Sequence, residues 1–366
     1  MVAQNRRLAH EMALQGAGRW DVTVAAPTRL RGDLREIELE SIPGEACAIV
    51  PLDVRFGAHP HLRFYGRALR PLLCRPWDVV HCWEEPYVVA AAQIARHVPE
   101  GARFVPATFQ NIVKPYPAPV RMLERRVMDR ADGWIAFGET VADAHRNRRG
   151  YASKPWRVIN PGVDTDAFRP DPAARRDMRQ RFGWTPQDAV VGFTGRFVAE
   201  KGISTLLEAV TRSSVPWKFL AVGGGVMHTE IEQLRSRFPS RVQIATNVPH
   251  DEVPAYLNAM DLLCAPSQTT PRWREQFGRM LIEAMACGVP VIASPSGEIP
   301  YVLAGAGVLV PENDPGAWAR EIERLLSDQA GRDDLSARGV ARARSRFAWP
   351  IVAQAHLDFF EELSAR

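Results

Sequence analysis

Two glutamates eight residues apart, Glu275 and Glu283, flank an apolar run that opens at Phe277-Gly278-Arg279 and closes at Cys287-Gly288. The pattern predicts a loop, a helix, a glycine stop and a buried strand over Pro290-Val291-Ile292-Ala293-Ser294. A helix beginning near Gly278 turns its first N–H groups toward the preceding loop, and with the helix dipole these favour an anion there. Gly278 lacks a Cβ, so a phosphate or a sugar can come close to the backbone. Glu275 precedes the helix, where a carboxylate can accept from sugar hydroxyls. Glu283 lies on the second turn, on the side of a ribose diol. Its neighbours Leu281, Ile282, Ala284, Met285 and Ala286 make the helix apolar nearly all round, so this carboxylate must find a partner. One carboxylate per polyol, with the anion between, fits a sugar joined to a nucleotide through a diphosphate. The plainer reading makes Glu275 a helix-dipole residue and Glu283 a surface residue; the apolar neighbours of Glu283 oppose it.

A second constellation is Gly192-Phe193-Thr194-Gly195-Arg196-Phe197-Val198-Ala199-Glu200-Lys201-Gly202, between a strand and the helix expected over Ile203 to Val210. A strand end, a glycine turn, two cations and a helix start make an anion site by position. Arg196 can fork onto phosphate oxygens and Lys201 adds a point charge. The spacing is neither a Walker A loop nor GxGxxG. Taken alone, two solvated charges on a loop explain it equally well. Gly223-Gly224-Gly225 adds a flexible loop after another strand.

The elements that must position these residues are legible as short apolar strands alternating with helical stretches. Strands are expected at 21–27, 48–52, 78–82, 103–105 and 133–137. A second series follows at 190–194, 218–222, 242–244, 262–265 and 289–293. Helices such as Pro86 to His97 and Val120 to Asp129 separate them. Apolar rather than alternating strands indicate parallel sheets covered on both faces, an α/β class. The stretch Arg169 to Arg181 reads as the interdomain linker.

A chain of 366 residues with 46% hydrophobic and 24% charged residues is that of a globular protein with room for two domains. No apolar run reaches the eighteen residues of a membrane span, and no signal-peptide core is expected at the N-terminus. Five scattered cysteines, Cys47, Cys74, Cys82, Cys264 and Cys287, form no CxxC pair. Structural disulfides and a zinc site are not expected, and a cytoplasmic location fits. The net charge of +4 is carried by the first 170 residues, which points to an acidic partner there, such as an anionic membrane surface. No basic run with interleaved aromatics tracks nucleic acid.

With these residues in hand the chain resembles the family 4 retaining glycosyltransferases of GT-B architecture. The resemblance rests on Asn160-Pro161-Gly162-Val163-Asp164, on Gly195-Arg196 with Lys201-Gly202, and on Ala265-Pro266-Ser267. It is most specific from Glu275-Gln276-Phe277-Gly278 through Glu283-Ala284-Met285-Ala286-Cys287-Gly288-Val289-Pro290. It implies two Rossmann-like domains whose parallel sheets face a cleft. Residues 1–168, completed by a C-terminal helix at 348–366, would serve the acceptor, a saccharide or lipid-linked saccharide. Residues 169–347 would bind the nucleotide-diphosphate sugar donor. Gly195, Arg196 and Lys201 would hold the diphosphate, and Glu275 the sugar hydroxyls. The amides of Phe277, Gly278 and Arg279 would hold sugar and phosphate, Glu283 the ribose, and the backbone near Asn247-Val248 the base. The resemblance implies retention of configuration, no cofactor and no metal; the only Asp-x-Asp, Asp164-Thr165-Asp166, lies in the interdomain segment. Neutralising the departing diphosphate would then be the main catalytic contribution.

Two departures stand out. Where the family often carries histidine in the N-terminal domain, this chain has Gln110, followed by Asn111. A glutamine donates and accepts hydrogen bonds but is no base. His81, at a strand end, is the other acceptor-side candidate. The second departure is at the start, where a first central strand is expected and the helix at Asn5 to Gln15 stands instead. A truncated start or a gapped sheet would follow, with reduced stability of the N-terminal domain and a higher melting temperature on upstream extension. The basic segment His59 to Arg75 is expected to form an amphipathic helix with Arg63, Arg67 and Arg70 on one face. It could meet an anionic membrane or remain solvated. Trp83, beside Glu84-Glu85, and Trp273 could stack on sugar rings or, for Trp83, pack in the core. A sugar-nucleotide 2-epimerase and a non-catalytic sugar-nucleotide-binding protein remain alternatives.

Overall fold

The computed structural model describes residues 3–31, 36–40, 44–57, 59 and 61–366. The chain divides into two compact units, Met1–Pro161 with Trp349–Arg366, and Gly162–Ala348. The boundary expected at 168 lies within the second unit. There the Val163 amide donates to the Phe347 carbonyl at 2.7 Å, and Phe168 joins the core.

In the first unit β1 (Thr23–Pro27) and β2 (Ala48–Leu52) pair in parallel, Thr23 opposite Ala48. Strands β3 (Val79–Cys82), β4 (Arg103–Thr108), β5 (Trp134–Ala136) and β6 (Trp156–Val158) form a parallel sheet in the order 6-5-4-3. Among the described residues no pairing joins the two sheets. Successive residues of a strand face opposite sides, and here both sides are apolar. Phe104 and Trp134 enter one core with Val127 and Tyr151; Val105, Ile135 and Phe137 enter another. The second core is closed by the helix Trp349–Ser364, through Val352, Leu357, Phe359 and Phe360, and by Leu8 and Met12 of the helix Ala3–Gln15.

The basic segment does not fold as one amphipathic helix. Its Phe64–Tyr65 stretch pairs antiparallel with Val54–Arg55, and only Leu69–Leu73 is helical. The Gln93 side-chain amide holds both main-chain polar groups of Tyr65 at 2.8 Å. Arg63 turns inward to Glu84 at 2.6 Å, while Arg67 and Arg70 stay exposed. Pro60 lies outside the described residues.

The second unit holds six parallel strands: β7 (Val190–Arg196), β8 (Lys218–Gly224), β9 (Val242–Ala245), β10 (Leu262–Ala265), β11 (Val291–Ala293) and β12 (Val308–Leu309). Their order is 9-8-7-10-11-12. Counted within the unit this is the doubly wound 3-2-1-4-5-6, whose ligand crevice lies at the carboxyl ends where the order reverses, between β7 and β10. The stretch read as a linker is instead largely a helix, Pro172–Arg181. Asp171 caps it, accepting from the Ala173 and Ala174 amides at 2.9 Å, and Pro172 opens it. Arg175 and the buried Arg179 tie it to Asp261 at 2.5 and 2.7 Å.

Candidate functional site

Lys201 ends a short 3-10 turn, Ala199–Lys201, that follows β7. Its Nζ lies 2.5 Å from Glu275 Oε2, and Ser267 Oγ donates to the same oxygen at 2.9 Å. All three residues are buried. The Trp273 ring centre stands 5.5 Å from the same ammonium, a cation–π distance. The main chain of Glu275 is fixed as firmly as its side chain. Its amide donates to Ser296 Oγ at 3.3 Å, and its carbonyl accepts from the Glu298 amide at 3.0 Å. Gly297 lies between these two with φ 54°, and a Cβ there would stand 2.0 Å from the Glu275 carbonyl oxygen. Only glycine fits such a position. Residues that follow β7 and β10 therefore hold the Glu275 carboxylate, and residues that follow β11 hold its main chain.

Gly278 opens the helix Arg279–Ala286 at φ 83°, in the left-handed region that glycine favours. The turn sends the Phe277 side chain into the core against Phe347, ring centres 5.9 Å apart. Of Phe277, only the main chain can serve a ligand. Every residue from Met280 to Ala286 is buried, Glu283 included. The partner that burial demands is His250: its Nε2 donates to Glu283 Oε1 at 3.1 Å. The Phe168 ring lies 5.2 Å from the imidazole. Burial pulls the Arg279 guanidinium below its ordinary value, and the Glu283 carboxylate one turn later opposes that pull. Val248 packs partly buried against the core two residues before His250. Gly195 pairs with Gly223, and Arg196 ends β7 with its side chain exposed.

The acceptor-side candidates are built differently. His81 Nδ1 donates to the Val105 carbonyl at 2.8 Å, and its Nε2 accepts from Trp83 Nε1 at 2.6 Å. Burial pulls its pKa down to about 4. Both ring nitrogens are spent inside the unit, so His81 is a packing histidine and offers an acceptor nothing. Trp83 is core as well, its ring 5.2 Å from that of Phe137. Gln110 and Asn111 are buried, and Gln110 Oε1 accepts from the Ile112 amide at 3.1 Å. Beneath them lies Glu85, which the sequence reading names only as a neighbour of Trp83. It accepts from Thr108 Oγ1 at 2.7 Å and from the Phe109 amide at 2.8 Å. Burial raises its carboxyl to about 7.

Ser267, Ser296 and His250 escape the sequence reading as site residues. Ser267 sits at a strand end that the switch point would single out once the strand order is known. His250 carries no local signal at all.

Two α/β units, one with a 3-2-1-4-5-6 parallel sheet and a buried carboxylate clamp at its switch point, are the parts of a GT-B fold. Residues 174–342 match the family model Glycosyl transferases group 1, and residues 4–167 match Glycosyltransferase Family 4. The chain belongs to the family 4 glycosyltransferases, and its activity is glycosyl transfer. It is 27% identical over 357 residues to D-inositol 3-phosphate glycosyltransferase of Xylanimonas cellulosilytica, covering 92% of this chain and 81% of that relative. Its fold is similar to that of sucrose-phosphate synthase from Thermosynechococcus elongatus. There the TM-score is 0.72 at 23% identity, over 99% of this chain and 92% of the other. It is also similar to Anabaena HepE in complex with UDP-glucose, with a TM-score of 0.62 at 22% identity, over 78% and 79% of the two chains. No helix among the described residues is long and apolar enough to cross a membrane.

Proposed function

We propose that this protein is a retaining hexosyltransferase. It moves a sugar from a nucleotide-diphosphate donor to a saccharide or lipid-linked saccharide acceptor, in polysaccharide or glycolipid synthesis. The observation that carries the reading is the pair of buried carboxylates on either side of the helix start at Gly278. Glu275 is held by Lys201 and Ser267, and Glu283 by His250. One is set for the sugar hydroxyls, the other for the ribose.

In this reading the bond between the anomeric carbon and the diphosphate oxygen breaks, and the acceptor hydroxyl takes its place on the same face. The departing diphosphate gains negative charge. Lys201 and Arg196, with the amides at Gly278 and Arg279, neutralise that charge, which is the main catalytic contribution. In this reading the two cations and the helix start do the work a metal ion would otherwise do. Gln110 cannot act as a base, so the acceptor proton passes to the departing phosphate oxygen. The solved relative with UDP-glucose supports a uridine donor as the first to try.

The proposal extends to a cytoplasmic protein peripheral to an anionic membrane. Its support is two exposed apolar side chains between the paired stretches Val54–Arg55 and Phe64–Tyr65. Phe56 and Leu62 stand 64% and 57% exposed there, with Arg67 and Arg70 exposed just beyond.

The test is a binding screen of uridine, guanosine and adenosine diphosphate sugars by thermal shift, followed by product analysis with the donor that binds. Transfer or slow hydrolysis with retained anomeric configuration, lost in Glu275→Ala, is expected. Release of a C2-epimer, or binding with no turnover, would replace this reading by an epimerase or a sensor.

A further inference from the structure

The Glu283 carboxylate lies inside an apolar helix, yet it accepts a hydrogen bond from a different element, the loop between β9 and the helix Val253–Asn258. That loop is shaped for the purpose. Asn247 takes φ 55°, a left-handed turn that asparagine tolerates, and reverses the chain after β9. Val248 then anchors it against the core, and His250 reaches over Glu283. The Phe168 ring packs beside the imidazole, centroids 5.2 Å apart. It is also not a core residue: its side chain keeps 43% exposure, against 11% for Glu283. The histidine thus keeps one side in solvent while it holds the carboxylate. A packing histidine such as His81 spends both nitrogens within its own core; His250 spends Nε2 on a candidate ligand-binding group.

We infer that His250 is a positioning residue for nucleoside recognition: it orients the Glu283 carboxylate so that this group can accept from the ribose diol of the donor. The inference rests on the sugar-nucleotide reading above and adds a residue to it. A carboxylate accepts in the plane of its two oxygens, so fixing Oε1 on Nε2 sets the direction in which the group meets a diol. The same loop carries Val248, whose main chain is the candidate reader of the base. The residue that would read the base and the residue that orients the ribose-reading carboxylate therefore share one short segment, Asn247 to His250. Arg279, one turn before Glu283, supplies charge but comes from the same helix and cannot report on the loop.

The experiment uses the full chain, with uridine diphosphate and its 2′,3′-dideoxy counterpart as probes, each titrated calorimetrically. Wild type should bind the ribose form more tightly. His250→Ala should weaken that form about tenfold, the worth of one charge-assisted hydrogen bond, and leave the dideoxy form within about twofold. His250→Gln, which keeps a donor at similar reach, should recover most of the loss. In turnover, His250→Ala should raise donor KM with little change in kcat, since the bond is made equally in ground and transition states.

Equal weakening of both nucleotides would make His250 merely structural, and no weakening of either would leave Glu283 positioned without it. A wild type that fails to discriminate the two would take Glu283 off the ribose. Each of these overturns the inference while nucleotide binding stands. A wild type that binds no uridine, guanosine or adenosine diphosphate would overturn the sugar-nucleotide reading and the inference with it.

Discussion

Lys201 Nζ and Glu275 Oε2, 74 positions apart in sequence, lie 2.5 Å from each other in a site from which water is largely excluded. An ion pair in such surroundings is costly to halve. Removing one partner leaves a buried charge unmatched, at about 3–5 kcal/mol. Lys201→Met should therefore destabilise the second unit strongly, whereas the double variant Lys201→Met/Glu275→Gln should recover much of that loss. Denaturant titration of both checks it, and equal stability of the single and double variants would show the pair to be uncoupled.

The same ammonium is assigned to the departing diphosphate. Lys201→Arg keeps a charge for Glu275 but changes its shape and reach. It should fold and lose about 10²–10³-fold in kcat, the usual loss for one preorganised donor to developing charge. Single-turnover rates at saturating donor measure it; an undiminished rate would remove Lys201 from the chemistry.

Gly297 offers a test that touches no charged group. Its φ of 54° and the 2.0 Å from its would-be Cβ to the Glu275 carbonyl oxygen forbid a side chain. Gly297→Ala should push the Glu275 main chain away. The expected result is a loss of donor-sugar affinity with nucleoside diphosphate affinity little changed, and a stability cost of about 1–3 kcal/mol. Calorimetry with both ligands distinguishes the two affinities.

Acid should act on the first unit. His81, His145 and His356 are buried there with pKa values pulled down to about 4, 4 and 3 by desolvation. The unfolded chain protonates each near 6.5, so the folded state binds fewer protons and stability falls as pH drops from 6.5 toward 4. Glu85 acts the other way. Raised from 4.5 to about 7, it favours the folded state increasingly as pH falls through that window. Three groups against one leave a net loss. Hydrogen exchange at the β4 and β5 amides, corrected for intrinsic rate, should show weaker protection at pH 5 than at pH 7. His356→Leu should shrink the difference, and an unchanged gap would acquit this histidine.

Vesicle co-sedimentation addresses the membrane contact. Binding to anionic vesicles should exceed binding to neutral ones and fall with Phe56→Asp/Leu62→Asp, since both side chains are exposed. Negligible binding to both kinds of vesicle would end this part of the proposal.

Five strands of each unit were legible because most are apolar on both faces, Phe104-Val105 and Ile292-Ala293 being typical, whereas Trp156–Val158, with Arg157 exposed at its centre, and the two-residue Val308–Leu309 carry too little pattern to be read. What the spacing could not convey was their order. The ion pair of Lys201 with Glu275 and the bond of His250 to Glu283 exist only once β7, β9 and β10 are placed. Helix Pro172–Arg181 was obscured by its charge: four arginines in one short stretch resemble a solvated linker until Asp261 appears beneath two of them. His81 misled for the converse reason. A histidine at a strand end looks available, and only the third dimension brings Val105 and Trp83 to its two nitrogens.

The helix Trp349–Ser364 belongs to the unit whose other residues end at Pro161. A ribosome delivers the chain from one end, and domains fold as they emerge. Gly162–Ala348 is thus the first piece to be complete. The earlier-made unit must wait, its core open on the face that Trp349, Leu357, Phe359 and Phe360 will close, until the helix Trp349–Ser364 has been made and has emerged. A released chain ending at Ala348 should therefore carry a protease-resistant Gly162–Ala348 unit and a protease-sensitive N-terminal one.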